Sequence, residues 1–207
     1  PLIFLFHGFG GIASQFINTA DMRDLAESNN FIVVYPQGLD LNGTGSHWNC
    51  SNPSADNKSD VDDIGFIENL IDQLIVDYPV IDSKRIYAAG YSNGGFMSYY
   101  LACNSKKFAA IGSVAGTMLD ASYQSCDAQF PTAMINIHGT DDFDVPYDGN
   151  TYYPSIPDVV DWWKNFNNTP NEDLLTNQDG SIEQYIYYSD SGDRYVEHIK
   201  IIGGDHY

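Results

Sequence analysis

Arg85-Ile86-Tyr87-Ala88-Ala89-Gly90-Tyr91-Ser92-Asn93-Gly94-Gly95 is the stretch from which the rest of the chain can be read. Residues 84–90 read as a strand, and 93–103 as a helix. Between them, Gly90-Tyr91-Ser92-Asn93-Gly94 fits the pattern G-x-S-x-G. In that setting the pattern describes a sharp strand-to-helix turn that lifts a serine hydroxyl above the end of a sheet. Glycine at 90 and 94 has a steric reason, because a side chain there crowds the turn. The plainer alternative is a helix N-cap serine with incidental glycines.

Outward from this turn, strand and helix patterns alternate. Leu2 to His7 reads as a buried parallel strand ending at the glycine-rich loop Gly8-Phe9-Gly10-Gly11. Residues 13–28 read as one helix, and Phe31 to Tyr35 as a second strand stopped by Pro36. Residues 36–60 read as a long loop rich in Asn, Gly, Ser and Asp around His47-Trp48-Asn49-Cys50. Loops of that length without periodicity are often functional. A helix is predicted over 60–78, where Ile64, Ile67, Leu70, Ile71, Leu74 and Ile75 recur at helical spacing. Strands are predicted at 109–114, 132–138, 182–188 and 195–202, and a helix at 156–166. Such alternation gives a mostly parallel sheet with helices on both faces. The chain reads as one domain over 1–207, cut at both ends. Ligands in such sheets sit beyond the carboxyl ends of the strands.

Composition narrows the function classes. Among 207 residues, 28 are Asp or Glu against 9 Lys or Arg, a net charge of −19. Phosphate-backbone binding needs the opposite balance, so nucleic acid is excluded as a partner. An anionic membrane surface repels such a chain, and no apolar run is long enough to span a bilayer. The three cysteines, Cys50, Cys103 and Cys126, allow one disulfide and one leftover, with the pairing open. Their wide spacing argues against structural zinc. Asn42-Gly43-Thr44 and Asn57-Lys58-Ser59 fit the glycosylation acceptor pattern.

A serine hydroxyl becomes a nucleophile only beside a base that is itself oriented by an acid. After a strand–turn–helix serine the expected chain order is Ser, acid, His. Of His138, His198 and His206, only His206 lies in a loop beyond the last strand, so it is the candidate base. For the acid, Asp141, Asp142 and Asp144 compete after the strand at 132–138, and spacing does not separate the first two. A calcium loop there lacks the required register of ligands. The oxyanion of acyl transfer needs two convergent N–H donors. Asn93, directly after the serine, and Phe9, in the loop after the first strand, supply the candidate backbone groups.

These segments resemble the secreted α/β-hydrolase esterases grouped with polyhydroxybutyrate depolymerases, feruloyl esterases and acetylxylan esterases. The likeness rests on the His7-Gly8 loop, Tyr35-Pro36-Gln37-Gly38, Val61-Asp62-Asp63-Ile64-Gly65-Phe66, the stretch 85–95, Phe108-Ala109-Ala110 and His138-Gly139-Thr140-Asp141-Asp142. It implies an α/β-hydrolase fold without that fold's first two strands or a large lid. It implies Asp142, the last residue of the family's H-G-T-x-D motif, as the acid. The family's G-G-G-H motif corresponds to Gly203-Gly204-Asp205-His206, with Asp205 in place of a glycine. The resemblance further implies a secreted, disulfide-bonded serine esterase acting on plant-wall esters or aliphatic polyesters through Ser92, Asp142 and His206. No cofactor and no metal are expected. The expected partner is an ester, free or linked to a polymer or polysaccharide, and the chain is expected to be a monomer. Tyr91, Trp48 and Trp162 are the candidate substrate-binding side chains, with loop 36–60 as the rim. The alternatives are a serine peptidase and a non-catalytic binding module on the same fold.

Overall fold

The computed structural model describes residues 1–51 and 59–207. The chain runs β1 (Leu2–Phe6), α1 (Ala13–Thr19), α2 (Arg23–Asn29), β2 (Ile32–Val34), β3 (Leu39–Asp40), β4 (Ser46–His47), α3 (Asp63–Asp77) and β5 (Ile86–Tyr91). It continues through α4 (Asn93–Asn104), β6 (Ala110–Val114), α5 (Asp120–Ser125), β7 (Ala133–Gly139), α6 (Ile156–Asn167), β8 (Asn171–Thr176), β9 (Ile182–Tyr188) and β10 (Tyr195–Ile201).

Eight strands form one sheet in the order β2-β1-β5-β6-β7-β10-β9-β8. The six from β2 to β10 are parallel, and β9 and β8 are added antiparallel. Alternation along the strands sends Leu2, Phe4 and Phe6 of β1, with Ile86 and Ala88 of β5, into the main core. There α4 crosses β1, β5 and β6, while α6 covers β7 and β10. Trp163 of α6 is fully buried and lies against Tyr99 of α4. On the opposite face Phe16 and Ala20, from α1 and its C-cap, border a cavity shared with Leu5 and Ala89. The architecture is the α/β-hydrolase fold, a mostly parallel sheet with helices on both faces.

Several elements differ from the sequence reading. The single helix expected over 13–28 is two, α1 and α2. Asp21 accepts the N–H of Arg23 at 3.0 Å and also takes its guanidinium, while the Tyr35 hydroxyl accepts from Met22 N and donates to Ala20 O. These local bonds replace helical ones at the break. The helix expected from 60 starts at 63, because the Asp62 carboxylate caps it by accepting from Gly65 N at 2.8 Å. Strand β8 was not expected: Asn171-Glu-Asp-Leu-Leu-Thr176 lacks alternation because it is an exposed edge strand. Short helix α5 was not expected either. The long loop contains the small β3–β4 ribbon, whose tip holds the Asn42 acceptor at positive φ. The acceptor at Asn57 lies outside the described residues.

Cys103, near the end of α4, pairs with Cys126 at the C-cap of α5, and Cys50 is buried outside that bridge, its Sγ–H donating to Trp48 O at 3.2 Å. The bridge ties the far end of α4, the helix that follows Ser92, to the chain that leads into β7. Among the described residues no helix is long and apolar enough to cross a membrane.

Candidate active site

The chain leaves β1 toward β2 on one side and returns to β5 on the other, so the carboxyl ends of β1 and β5 flank a topological switch point. Ser92 sits there, between β5 and α4, at φ 52° and ψ −120°. This strained turn is possible because the chain packs through its glycines. A Cβ on Gly90 would overlap the backbone of Gly94, and one on Gly94 would overlap the carbonyl of Phe6. Ser92 N donates to Val114 O, which fixes the turn against β6.

His206 Nε2 lies 2.9 Å from Ser92 Oγ, and His206 Nδ1 lies 2.8 Å from Asp142 Oδ2. An ionised carboxylate only accepts, so Nδ1 carries the proton and Nε2 is left to accept from the serine. Asp142 Oδ1 takes the backbone N–H groups of Asp144 at 3.0 Å and Val145 at 2.8 Å. Asp141 is exposed and turned elsewhere, so side-chain direction separates two neighbours that spacing did not. Asp144, the third competitor, is exposed on the rim.

The loops bearing Asp142 and His206 are braided together. Thr140 N donates to Ile201 O, Asp141 N to Gly204 O, and Gly203 N to Thr140 Oγ1. Gly139 and Gly204 approach so closely that a Cβ on Gly139 would overlap the Gly204 carbonyl. Tyr91 donates its hydroxyl to the His206 carbonyl at 2.8 Å. Burial, with nearby Tyr207 and acidic groups, pushes the Tyr91 phenol up to about 12, so it remains a donor.

A cleft of about 400 Å³ opens over Ser92, with Phe9, Trp48, Tyr91, Leu119, Val145 and Tyr153 among its walls. Trp48 is nearly buried; its indole N–H donates to His7 O and its ring meets Phe6 edge-on. Trp162 does not line the cleft, which corrects its assignment as a substrate-binding residue. It stacks on Phe166 along α6, far along the sheet from the β1–β5 crevice, and its neighbour Trp163 is the buried member of the pair. Phe9 reaches the cleft from the loop after β1. That loop is fixed by His7, whose Nδ1–H donates to Gly8 O while Nε2 accepts from Gly38 N and Gln37 Nε2.

Asn93 does more than offer a backbone N–H. Its amide accepts from Trp48 N at 2.7 Å and donates to Trp48 O at 3.0 Å. The residue after the serine therefore clamps the rim segment 48–50, which Asp63 also holds through Asn49 N. Sequence reading missed this clamp, since only the fold brings 48 and 93 together. Among the described residues no group of three or more His, Cys, Asp or Glu side chains is placed to hold a metal ion.

His7, His138 and His198 are all pushed below the ordinary imidazole value by burial, His198 to about 4. They remain neutral in the fold while the unfolded chain protonates near pH 6.5. Stability is therefore full above pH 6.5 and lost as pH falls toward 4. His198 alone contributes on the order of 3 kcal/mol across that window. Asp63, pushed up by burial, opposes the trend. Urea midpoints are expected to fall steadily from pH 7 to 4.5; a flat series contradicts this reading.

The fold and this arrangement define a serine hydrolase of the α/β-hydrolase class, with a Ser, His and Asp constellation at the carboxyl end of its sheet. The chain belongs to the prolyl oligopeptidase family, whose sequence model matches residues 19–131. It is 28% identical over its whole length to a bifunctional acetylxylan esterase/xylanase of Neocallimastix patriciarum, of which it covers 28%. It is 32% identical to feruloyl esterase B of Piromyces equi over 72% of this chain and 27% of that enzyme. The chain thus spans little more than a quarter of either relative. Among solved structures, the Bacillus cereus carboxylesterase superposes with a TM-score of 0.59 at 19% identity, covering 81% of this chain and 74% of that one.

Proposed function

We propose that this chain is a secreted carboxylic ester hydrolase of plant-wall feruloyl or acetyl esters or of aliphatic polyesters such as polyhydroxybutyrate. The observation that carries the reading is the continuous line Asp142–His206–Ser92, whose serine faces an open, aromatic-walled cleft. His206 Nε2 takes the Ser92 proton as Oγ attacks the ester carbonyl. The backbone N–H groups of Phe9 and Asn93 are assigned to the oxyanion. His206 then gives its proton to the leaving alcohol and activates water against the acyl-enzyme. Asp142 keeps the imidazole in the tautomer this needs. The ester reading over others is supported by the esterase names of the curated relatives, and a secreted setting by the Cys103–Cys126 bridge.

A peptidase reading is favoured by the family match, and the same constellation cleaves amides. A fluorophosphonate probe with peptide mapping, followed by ester and peptide panels, tests both. Stoichiometric label on Ser92, none on Ser92→Ala, and turnover of feruloyl, acetyl or hydroxybutyrate esters without peptide cleavage is expected. Label with preferential peptide cleavage makes the peptidase reading the right one. A folded protein that takes no label overturns both.

A further inference from the structure

A second imidazole stands on the carboxylate of Asp142. His138, at the end of β7, has a fully buried side chain, and its Nε2 lies 2.8 Å from Val145 O and 3.2 Å from Asp142 Oδ2. Both neighbours are acceptors, so Nε2 carries the proton. Nδ1 completes no hydrogen bond; the Gly116 carbonyl near it already accepts from Asn136 Nδ2. We propose that His138 is a positioning residue of the active site, sharing its Nε2–H between Val145 O and Asp142 Oδ2 so that the carboxylate keeps the orientation His206 needs. This rests on the hydrolase reading of Ser92, Asp142 and His206 given above.

The geometry gives the group something to do. An ionised carboxylate offers about four acceptor sites. Here Oδ1 takes the N–H groups of Asp144 and Val145, and Oδ2 faces His206 and His138. Val145 is held at both ends, its N–H by Asp142 and its carbonyl by His138. The turn 142–145 is therefore closed by the imidazole, and rotation of the carboxylate away from His206 breaks several contacts together. Burial keeps His138 neutral, so it supplies a donor without placing a second cation beside His206.

The surroundings contain the other groups that can influence a titration here. Tyr91 comes from β5, Ser92 from the turn before α4, Asp144 from the loop of Asp142 itself, and Asp205 and Tyr207 from the loop of His206. Behind His138, the Tyr147 ring lies 6.2 Å away, with its hydroxyl 2.9 Å from His198 Nε2. Lys200, paired with Glu183, lies beyond that ring. None of these replaces the Nε2–H on Asp142 Oδ2.

The test combines a measurement on the wild-type protein with two variants. Long-range proton–nitrogen NMR on the wild type reads the His138 tautomer directly. Nε2–H at neutral pH is expected, and Nδ1–H overturns the proposal whether or not any variant folds. His138→Leu, checked for folding by circular dichroism, is expected to lower kcat on an aryl ester about tenfold with little change in KM. His138→Gln, whose amide nitrogen reaches the same place, should recover most of kcat. An undiminished kcat in the leucine variant, or a glutamine variant as impaired as leucine, each overturns it. Wild-type protein that neither labels at Ser92 nor turns over ester is a distinct outcome: the hydrolase reading has then failed, and the positioning role with it.

Discussion

Asp142→Asn is expected to lower kcat by about 10⁴-fold, while Asp141→Asn stays within about twofold of wild type. The difference is one of proton placement. Asp142 accepts from His206 Nδ1 at 2.8 Å, which leaves Nε2 as the acceptor facing Ser92. An asparagine amide can present N–H to the imidazole instead. The ring then carries its proton on Nε2, pointed at the serine hydroxyl, and can no longer receive one from it. Size and shape barely change, so folding and substrate binding should be retained. Asp141 is exposed, and its carboxylate accepts from the neighbouring Thr140 hydroxyl. Steady-state kinetics on one aryl ester, with thermal unfolding as the control, reads both variants. Equal losses in the two would remove Asp142 from the acid's place.

The second large effect is on folding. Gly94→Ala should cost about 4 kcal/mol or more, enough to unfold much of a domain whose whole margin is about 5–15 kcal/mol. The added Cβ meets the Phe6 carbonyl and also lies 2.8 Å from the His7 carbonyl. Neither can step aside. Phe6 is in register with Gly90 inside the parallel sheet, and its ring is fully buried. Gly180→Ala makes the comparison: that glycine has φ +75° with open space around it, so only the backbone conformation is penalised, by about 1 kcal/mol. Denaturant unfolding of the two variants should separate collision from conformational preference. Similar midpoints would mean that α4 can lift away from β1.

How much of this was legible in the chain varies from residue to residue. The seat of Ser92 was readable because strand, turn and helix impose steric demands that only glycine meets at 90 and 94. The place of His206 followed from chain order. Asp142 was separable from Asp141 only through family resemblance, since adjacent residues differ in where the backbone aims them and spacing is silent on that. Trp162 misled for a related reason. A helix pattern shows that neighbouring tryptophans face differently, but not which face borders a cleft. The break between α1 and α2 depends on Tyr35, a residue distant in sequence whose hydroxyl serves both sides of the gap. His138 read as an ordinary strand-end histidine because its meaning lies in a turn that folds back over it.

The braid between the loops after β7 and β10 changes how many independent motions the chemistry must contend with. Two strands that are neighbours in register lead into the loops of Asp142 and His206, and those loops share hydrogen bonds at Thr140, Asp141 and Gly203. A displacement of one of these loops therefore strains the hydrogen bonds that hold the other. The loop of His206 is tied to the turn of Ser92 as well, because Tyr91, next to the serine, donates its hydroxyl to the His206 carbonyl. Asp142, His206 and Ser92 are thus cross-linked pairwise through backbone and side-chain bonds that lie outside the line Asp142–His206–Ser92 itself.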